Sequence, residues 1–472
     1  MTSAVAGGKT VAVIGGGLAG LAAGSALADV GFNVSLFERR PYLGGRASSY
    51  EHPGTGEVID NCQHVLLGCC TNLIDFYRRL AVEEKIRWFD GLNFIEPGGR
   101  RSVISAGLLP APFHSSVSFL RAKFLSAGDK DAVARALLRL AGELPRDSDE
   151  NFLHWLECHW QTEAGIERFW KPVLVSALNE DLDRISVRYA AQVFRESFLK
   201  CAAAGYLGIP QVPLSELYSV AGEYIGDRGG QVLSRCPVRA IRSAPNAATV
   251  EIAGEGQSKK FDYVISAVPF DALAQMLPEA AEMSPLREKL SRFETSPITG
   301  IHLWFDREIT ALEHAVLLDR TIQWMFNKSK LISARAEASG GSYLELVVSS
   351  SKTLVNKSRQ EILDLALREL AEFFPAAREA KLVKGTVIKE VNATYSALPG
   401  ADSYRSPAAT PWPRFFLAGD WTATGWPATM EGAVRSGYRA AEEVVQARDP
   451  RRKLKFLVPD MAAQGFMRLL AG

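Results

Sequence analysis

Residues 60–70 read Asp-Asn-Cys-Gln-His-Val-Leu-Leu-Gly-Cys-Cys. Asp60, Cys62 and His64 alternate along this run, so in an extended chain they share one face, where they could chelate a metal or set a thiol beside a base. A metal site needs three or four converging ligands, and no distant cluster is evident to complete one. The other candidate, His154, Cys158 and His159 in HWLECHW, would place His154 and Cys158 on one helical face, but its aromatic neighbours read as ordinary packing. Alternate positions do not reliably bring a base against its thiol, which weakens a Cys62/His64 nucleophile pair. No metal is expected. A loop presented to a cofactor is the third reading, and these residues alone leave it open.

The first forty-six residues say which kind of cofactor. TVAVIGGGLAGLAAGSALADVGFNVSLFE reads as a strand at Thr10 to Ile14, a turn, a helix from about Leu18 to Val30, and a second strand at Asn33 to Phe37. The turn Gly15-Gly16-Gly17-Leu18-Ala19-Gly20 carries G-x-G-x-x-G where a βαβ unit requires it. The first glycine makes the tight turn, the second lets a pyrophosphate approach the backbone, and the third packs helix against strand. Free amides and the positive helix end then face the phosphates. Glu38, followed by Arg39, closes the second strand, where a carboxylate accepts both ribose hydroxyls and disfavours a 2′-phosphate. Gly44 and Gly45 let the chain pass close to a bulky ligand, and Arg46 can offset pyrophosphate charge. Near the other end, Gly419-Asp420 follows a strand at Phe415 to Ala418. Asp420 either caps that turn or accepts hydrogen bonds from a polyol such as the ribityl chain, which flavin has and NAD lacks. A helix from about Met430 to Val445 would turn the amides of Met430 to Ala433 toward the charge on a reduced flavin.

Taken together, these pieces resemble the FAD-dependent amine oxidase and phytoene desaturase superfamily over nearly the whole chain. Within it, IDNCQHVLLG, FWKPVLVSALNEDLDRIS, IKEVNATYSALPG and FLAGDWTATGWPATMEGAVRSG resemble the squalene-associated FAD-dependent enzymes, also called hydroxysqualene dehydroxylases, of bacterial hopanoid biosynthesis. The resemblance implies that reduced FAD converts hydroxysqualene to squalene with loss of water. It also implies that the loop carrying Gln63, His64 and Val65 passes beside the isoalloxazine ring. The chain departs from the family at Cys62, where Gly is usual, which puts an unusually close backbone approach there in doubt. Val238 lies on a strand resembling the one that contacts adenine in relatives, and Ala267 ends another buried strand; strand burial alone would account for both.

The expected fold is α/β, with a discontinuous Rossmann-type FAD-binding domain (1–75, 208–270 and 390–448). It is joined by a helical, substrate- or membrane-facing region (76–207), a mixed α+β substrate domain (271–389) and a basic-apolar tail (449–472). A chain of 472 residues exceeds the size of a single core, and 47% hydrophobic content can fill several. Fifty-four basic against fifty-three acidic side chains give no field for gathering nucleic acid. The start lacks a secretory pattern, no apolar run is long enough to span a bilayer, and six scattered cysteines suit a reducing compartment. A cytoplasmic protein attached peripherally to the inner face of the cell membrane is expected.

A thirty-carbon isoprenoid favours an apolar environment by more than roughly 20 kcal/mol, at about 0.8 kcal/mol per methylene-sized unit. An enzyme for it must therefore lie on the membrane surface, and residues 106–126 and the C-terminal segment mix Leu and Phe with basic side chains suited to that. Reductive loss of an allylic hydroxyl needs a proton, support for an allyl cation, and hydride. His64 and Glu431 are the candidate acids, and Trp426 the candidate cation support. With one dinucleotide fingerprint, electrons must come from NAD(P)H without its own Rossmann domain or from a separate reductase. A carotenoid-type desaturase would use the same fold with oxidised FAD. An amine oxidase usually has an aromatic residue before M-E-G, where this chain has Thr429, and a non-enzymatic flavin-bearing partner would leave the substrate-domain strings unexplained.

Overall fold

The computed structural model describes residues 9–142, 145, 149–244, 247–252, 258–332 and 341–470. Residues 1–8, part of the stretch read for a secretory pattern, lie outside them, as do residues 471–472 of the tail.

The β-branched and aromatic runs at Thr10–Ile14, Asn33–Phe37, Tyr263–Ser266 and Phe415–Leu417 are almost wholly buried, as strands covered on both faces must be. With Gln231–Leu233 they form a five-stranded sheet, ordered 231–233, 33–37, 10–14, 263–266, 415–417, with every pair parallel. The Ala/Leu-rich helix Leu18–Asp29 is buried from Leu18 to Ala28. Part of that cover is the helix Met430–Arg448, which approaches so closely that a Cβ on Gly437 would lie 2.2 Å from the Ala19 carbonyl oxygen. A small antiparallel sheet, Val238–Ala244, Ala247–Ile252 and Ser258–Phe261, is appended to this layer.

The second body is a seven-stranded sheet, ordered 382–395, 295–305, 342–349, 324–327, 314–317, 91–95, 101–105. The helix Arg359–Phe373, opened by a Ser358/Glu361 capping box, lays Ile362, Ala366, Leu370 and Phe373 against it at helical spacing.

Residues 76–207 are not helical throughout, as the sequence reading had it. Gly91–Ile95 and Arg101–Ser105 form a hairpin that completes the second sheet, and Ile86–Phe89 pairs with Leu207–Pro210. The hairpin turns at Gly98 and Gly99, both at positive φ. Apart from the end of the helix Thr71–Arg79 and short 3-10 turns, the helices of this region lie between Ser116 and Leu199. The segment after Arg448 runs along the body rather than leaving it. Glu442 accepts from the Phe456 and Leu457 amides, Asn72 from the Val458 amide, and Met467 is fully buried. Among the described residues no helix is long and apolar enough to cross a membrane.

Candidate functional site

The glycine turn divides its work as its spacing predicts. A Cβ on Gly20 would lie 1.9 Å from the Gly15 carbonyl oxygen, so its role is packing, whereas one on Gly17 would meet only the Gly45 Cα, at 3.8 Å. Gly17 is the N-cap of the Leu18–Asp29 helix, with no side chain capping it and no acid in the first turn. The helix end is thus open to an anion, which fits a pyrophosphate. Glu38 is buried at the end of its strand and accepts from the Gly16 and Arg40 amides, both at 2.7 Å. Two of its roughly four lone-pair positions remain for ribose hydroxyls. Arg39 points to solvent; Arg40 instead ties the loops together, donating to the Gly45 carbonyl at 2.9 Å. Arg46 and Asp420, far apart in sequence, meet in an ion pair of 2.5 Å, so Arg46 shares its charge between that carboxylate and any phosphate. The Ala267 amide bonds Ile14, and Ala267 backs the turn at Gly15, while Val238 opens the small antiparallel sheet, half-buried.

The 60–66 loop is held almost residue by residue. Asp60 accepts from Ser49 Oγ at 2.5 Å, from the Leu214 amide at 3.2 Å and from Lys328 Nζ at 2.7 Å. Lys328 also donates to Gln63 Oε1 at 2.8 Å and lies 3.4 Å from Glu345. All three charged groups are buried. Burial works to lower the Lys328 pKa, but Asp60 and Glu345 outweigh it and raise it; burial works to raise Asp60, but Lys328 outweighs it and lowers it. Sequence reasoning missed Lys328 and Glu345, because a lysine beside a strand is ordinarily a surface residue. Asn61 bonds the Arg46 carbonyl at 2.8 Å, joining the loop to the phosphate side.

Cys62 packs among Leu207, Ile209 and Phe326, and burial pushes its thiol well above the usual range, which disarms it as a nucleophile. His64 Nδ1–H donates to the Cys62 carbonyl at 2.8 Å, and burial lowers its pKa. It is neutral at pH 7 with its one N–H engaged, so its geometry does not suit the acid role expected of it. Among the described residues no group of three or more His, Cys, Asp or Glu is arranged to hold a metal. His154 lies 3.6 Å from Cys158, while His159 stacks on Trp155.

Between the two bodies lies a cavity of ≈ 200 Å³, far larger than a packing defect. Val65 and Leu67 contribute one wall, Phe94 and Trp324 the second sheet's wall, and Thr429 and Met430 the end nearest the glycine-turn domain. Thr429 caps the Met430–Arg448 helix, its Oγ1 accepting from the Gly432 amide at 3.1 Å and its carbonyl from Ala433 at 3.0 Å. Two of the four amides expected to face a flavin are therefore engaged in the cap, and those of Met430 and Glu431 are the ones the helix leaves over.

Glu431 also touches the cavity but has another task. It is fully buried and accepts from the Asn72 amide and side chain, both at 3.1 Å, from the Leu73 amide at 2.7 Å and from Arg435 Nε at 2.6 Å. Burial pushes its pKa up against these donors, which leave it no free oxygen to act as the expected acid. Trp426 lines the cavity too, but the Arg435 guanidinium sits 4.5 Å from its ring centroid. That cation already draws on the π cloud, so the ring is weaker support for an allyl cation than expected.

Comparison with known proteins agrees with this architecture. A family model described as flavin containing amine oxidoreductase matches residues 18–445. A 15-cis-phytoene desaturase of Synechococcus elongatus is 28% identical, covering 93% of this chain and 96% of its own. A zeta-carotene desaturase of Synechocystis is 26% identical, covering 92% and 97%. Among solved structures, an oxidoreductase from Methanosarcina mazei superposes with a TM-score of 0.72 at 18% identity, covering 91% of this chain and 98% of that one. Putrescine oxidase bound to putrescine gives 0.71 at 16%, covering 93% and 99%. With a family match that spans the glycine-turn helix, the second sheet and the Met430–Arg448 helix, the chain belongs to the flavin-containing amine oxidoreductases, enzymes that use FAD.

Proposed function

We propose that the protein reduces hydroxysqualene to squalene at a membrane surface. The observation that carries this reading is the cavity, walled by apolar side chains and closed at one end by Val65, Thr429 and Met430, on the two segments whose strings resemble hydroxysqualene dehydroxylases. Carotenoid desaturases among the relatives agree with a long isoprenoid ligand. Gly17, Glu38, Arg46 and Asp420 would hold the dinucleotide, and the 60–66 loop with Met430 would border its ring. Bound FAD in its reduced form supplies the hydride; overall, hydroxysqualene and reduced FAD become squalene, water and oxidised FAD. The chain binds and orients the isoprenoid and keeps water from the allylic centre. NAD(P)H or a separate reductase returns electrons to the flavin.

Access for so insoluble a ligand fits the surface. Phe113 and Phe466, from the two segments singled out in the sequence, meet edge to face at 6.2 Å. Around them Leu108 is fully exposed, Leu120 65% and Leu469 81%, beside the exposed basic residues Arg121, Lys123 and Arg468. Such a patch suits the cytoplasmic face of a bilayer.

A second reading, carotenoid-type desaturation with oxidised FAD, is favoured by the names of the relatives. One experiment separates the two. Anaerobically reduced enzyme given hydroxysqualene should reoxidise once per flavin and release squalene. A flavin that stays reduced, in a protein that desaturates phytoene when oxidised, would replace the first reading with the second.

A further inference from the structure

The cavity is mostly apolar, and one helix brings three polar side chains into its wall. Val187–Phe194 continues into a π-helical turn, Arg195–Leu199, and Gln192, Glu196 and Ser197 bring polar atoms into the wall. Gln192 and Glu196 are four residues apart and share a face. The wider π turn re-aims the side chains after it, a device frequent at ligand sites.

The other polar groups in the wall are already matched. Ser176 Oγ accepts from Trp324 Nε1 and donates to the Pro172 carbonyl, both at 2.7 Å. Glu431 is occupied by its four donors, and Ser197 Oγ lies 3.4 Å from Cys69 Sγ. Gln192 and Glu196 differ. Gln192 Nε2 donates to the Gly425 carbonyl at 2.8 Å, next to Trp426, and its side-chain oxygen accepts from nothing among the described residues. Glu196 Oε2 accepts from Lys200 Nζ at 2.6 Å, and its Oε1 likewise accepts from nothing among them. Both partners of that ion pair are largely buried, which fixes the carboxylate in place.

A pure hydrocarbon filling this cavity strips water from two acceptor oxygens and returns no hydrogen bond. A ligand carrying one hydroxyl donates to Glu196 or Gln192. We propose that Gln192 and Glu196 form a hydroxyl-recognising subsite, which makes the cavity select a hydroxylated isoprenoid over the hydrocarbon of the same skeleton. This deepens the reading above, on which it rests, and it has a kinetic consequence: a product that has lost its hydroxyl is held less tightly than the substrate and leaves.

The test is a binding titration of the enzyme carrying oxidised FAD, with hydroxysqualene and squalene presented in the same detergent micelles. Perturbation of the flavin spectrum and of tryptophan fluorescence reads it out. Wild type should bind hydroxysqualene about tenfold or more tightly than squalene, as a hydrogen bond to a charged group implies. Glu196→Gln and Gln192→Leu should each cut that preference severalfold, and the double variant should abolish it. Squalene affinity and flavin content should stay within about twofold, which shows the fold intact. Equal binding of both ligands by wild type, or a preference that survives in the double variant, overturns the subsite and leaves the isoprenoid cavity standing. Binding of neither ligand by flavin-loaded protein overturns both.

Discussion

Two glycines three residues apart should respond differently to the same change. Gly17→Val places its side chain in the space left for the pyrophosphate, where no protein atom lies closer than the Gly45 Cα at 3.8 Å from the new Cβ, so the protein should fold and purify colourless. Gly20→Val drives a Cβ to 1.9 Å from the Gly15 carbonyl oxygen and should lose the fold rather than only the flavin. Far-ultraviolet dichroism with flavin absorbance distinguishes them, and a yellow Gly17→Val protein would move the phosphate site elsewhere. The packing of Gly20 and the open space at Gly17 were legible because fingerprint spacing encodes geometry directly. Glu431 was less so: its place in M-E-G marks a helix start but says nothing of the Asn72 and Leu73 amides brought in from 359 and 358 residues away. Glu431→Ala leaves the Asn72 and Leu73 amides, at the start of the helix Thr71–Arg79, without their buried acceptor and Arg435 with Asp460 alone, and should lower stability by about 3–5 kcal/mol, read as the urea unfolding midpoint. Unchanged stability with turnover abolished would return Glu431 to the chemistry.

The loop at 60–66 is a short element positioned by a charge cluster beneath it, and that cluster gives it a pH dependence. Burial pushes Glu345 up from 4.5 to about 7, with Lys328 opposing and Asp60 assisting. Below pH 4.5 the carboxyl holds its proton folded or unfolded. As pH rises from there to about 7, the unfolded chain releases the proton and the folded chain keeps it, so this group's contribution falls and then levels off. Asp60 works in another window: its pKa is lowered from 3.8, so its contribution is present above that value and lost in acid. Thermal midpoints measured from pH 4.5 to 8 should therefore decline more steeply in wild type than in Glu345→Gln, and parallel curves would remove Glu345 as the cause. The string of the loop resembles a cofactor-facing segment, but its support was not readable, since Lys328, at the start of a helical turn, and Glu345, on a strand, meet the loop through pairings the sequence does not state. The hairpin at 91–105 escaped for a similar reason. Its strands are five residues each around a Pro-Gly-Gly turn, and a sheet supplied by residues 300 to 400 is what gives them partners.

At the scale of the whole molecule, two segments some 350 residues apart become one surface. Sequence composition marked each as mixing apolar and basic residues, but their meeting depends on a backbone contact that composition does not carry: the Phe466 amide bonds the Ala111 carbonyl at 2.8 Å. Deleting residues 450–472 would therefore test the fold rather than the membrane, because it removes the buried side chains Phe456 and Met467 and strips Asp460 from Arg435. Substitution at exposed positions avoids that. Leu108, Leu120 and Leu469 have little contact to lose, so Leu108→Asp/Leu120→Asp/Leu469→Asp should retain its flavin and its thermal midpoint. Each buried leucine side chain contributes about 1.5–3 kcal/mol of transfer free energy, so losing three should cut sedimentation with anionic-lipid vesicles by well over tenfold. Arg121, Lys123 and Arg468 add an attraction that salt screens, and wild-type binding should weaken as ionic strength rises toward 1 M, while the apolar part persists. Sedimentation that is the same for the triple variant and wild type, at low and high salt alike, would show that this face does not meet the bilayer and that the ligand reaches the cavity by another route.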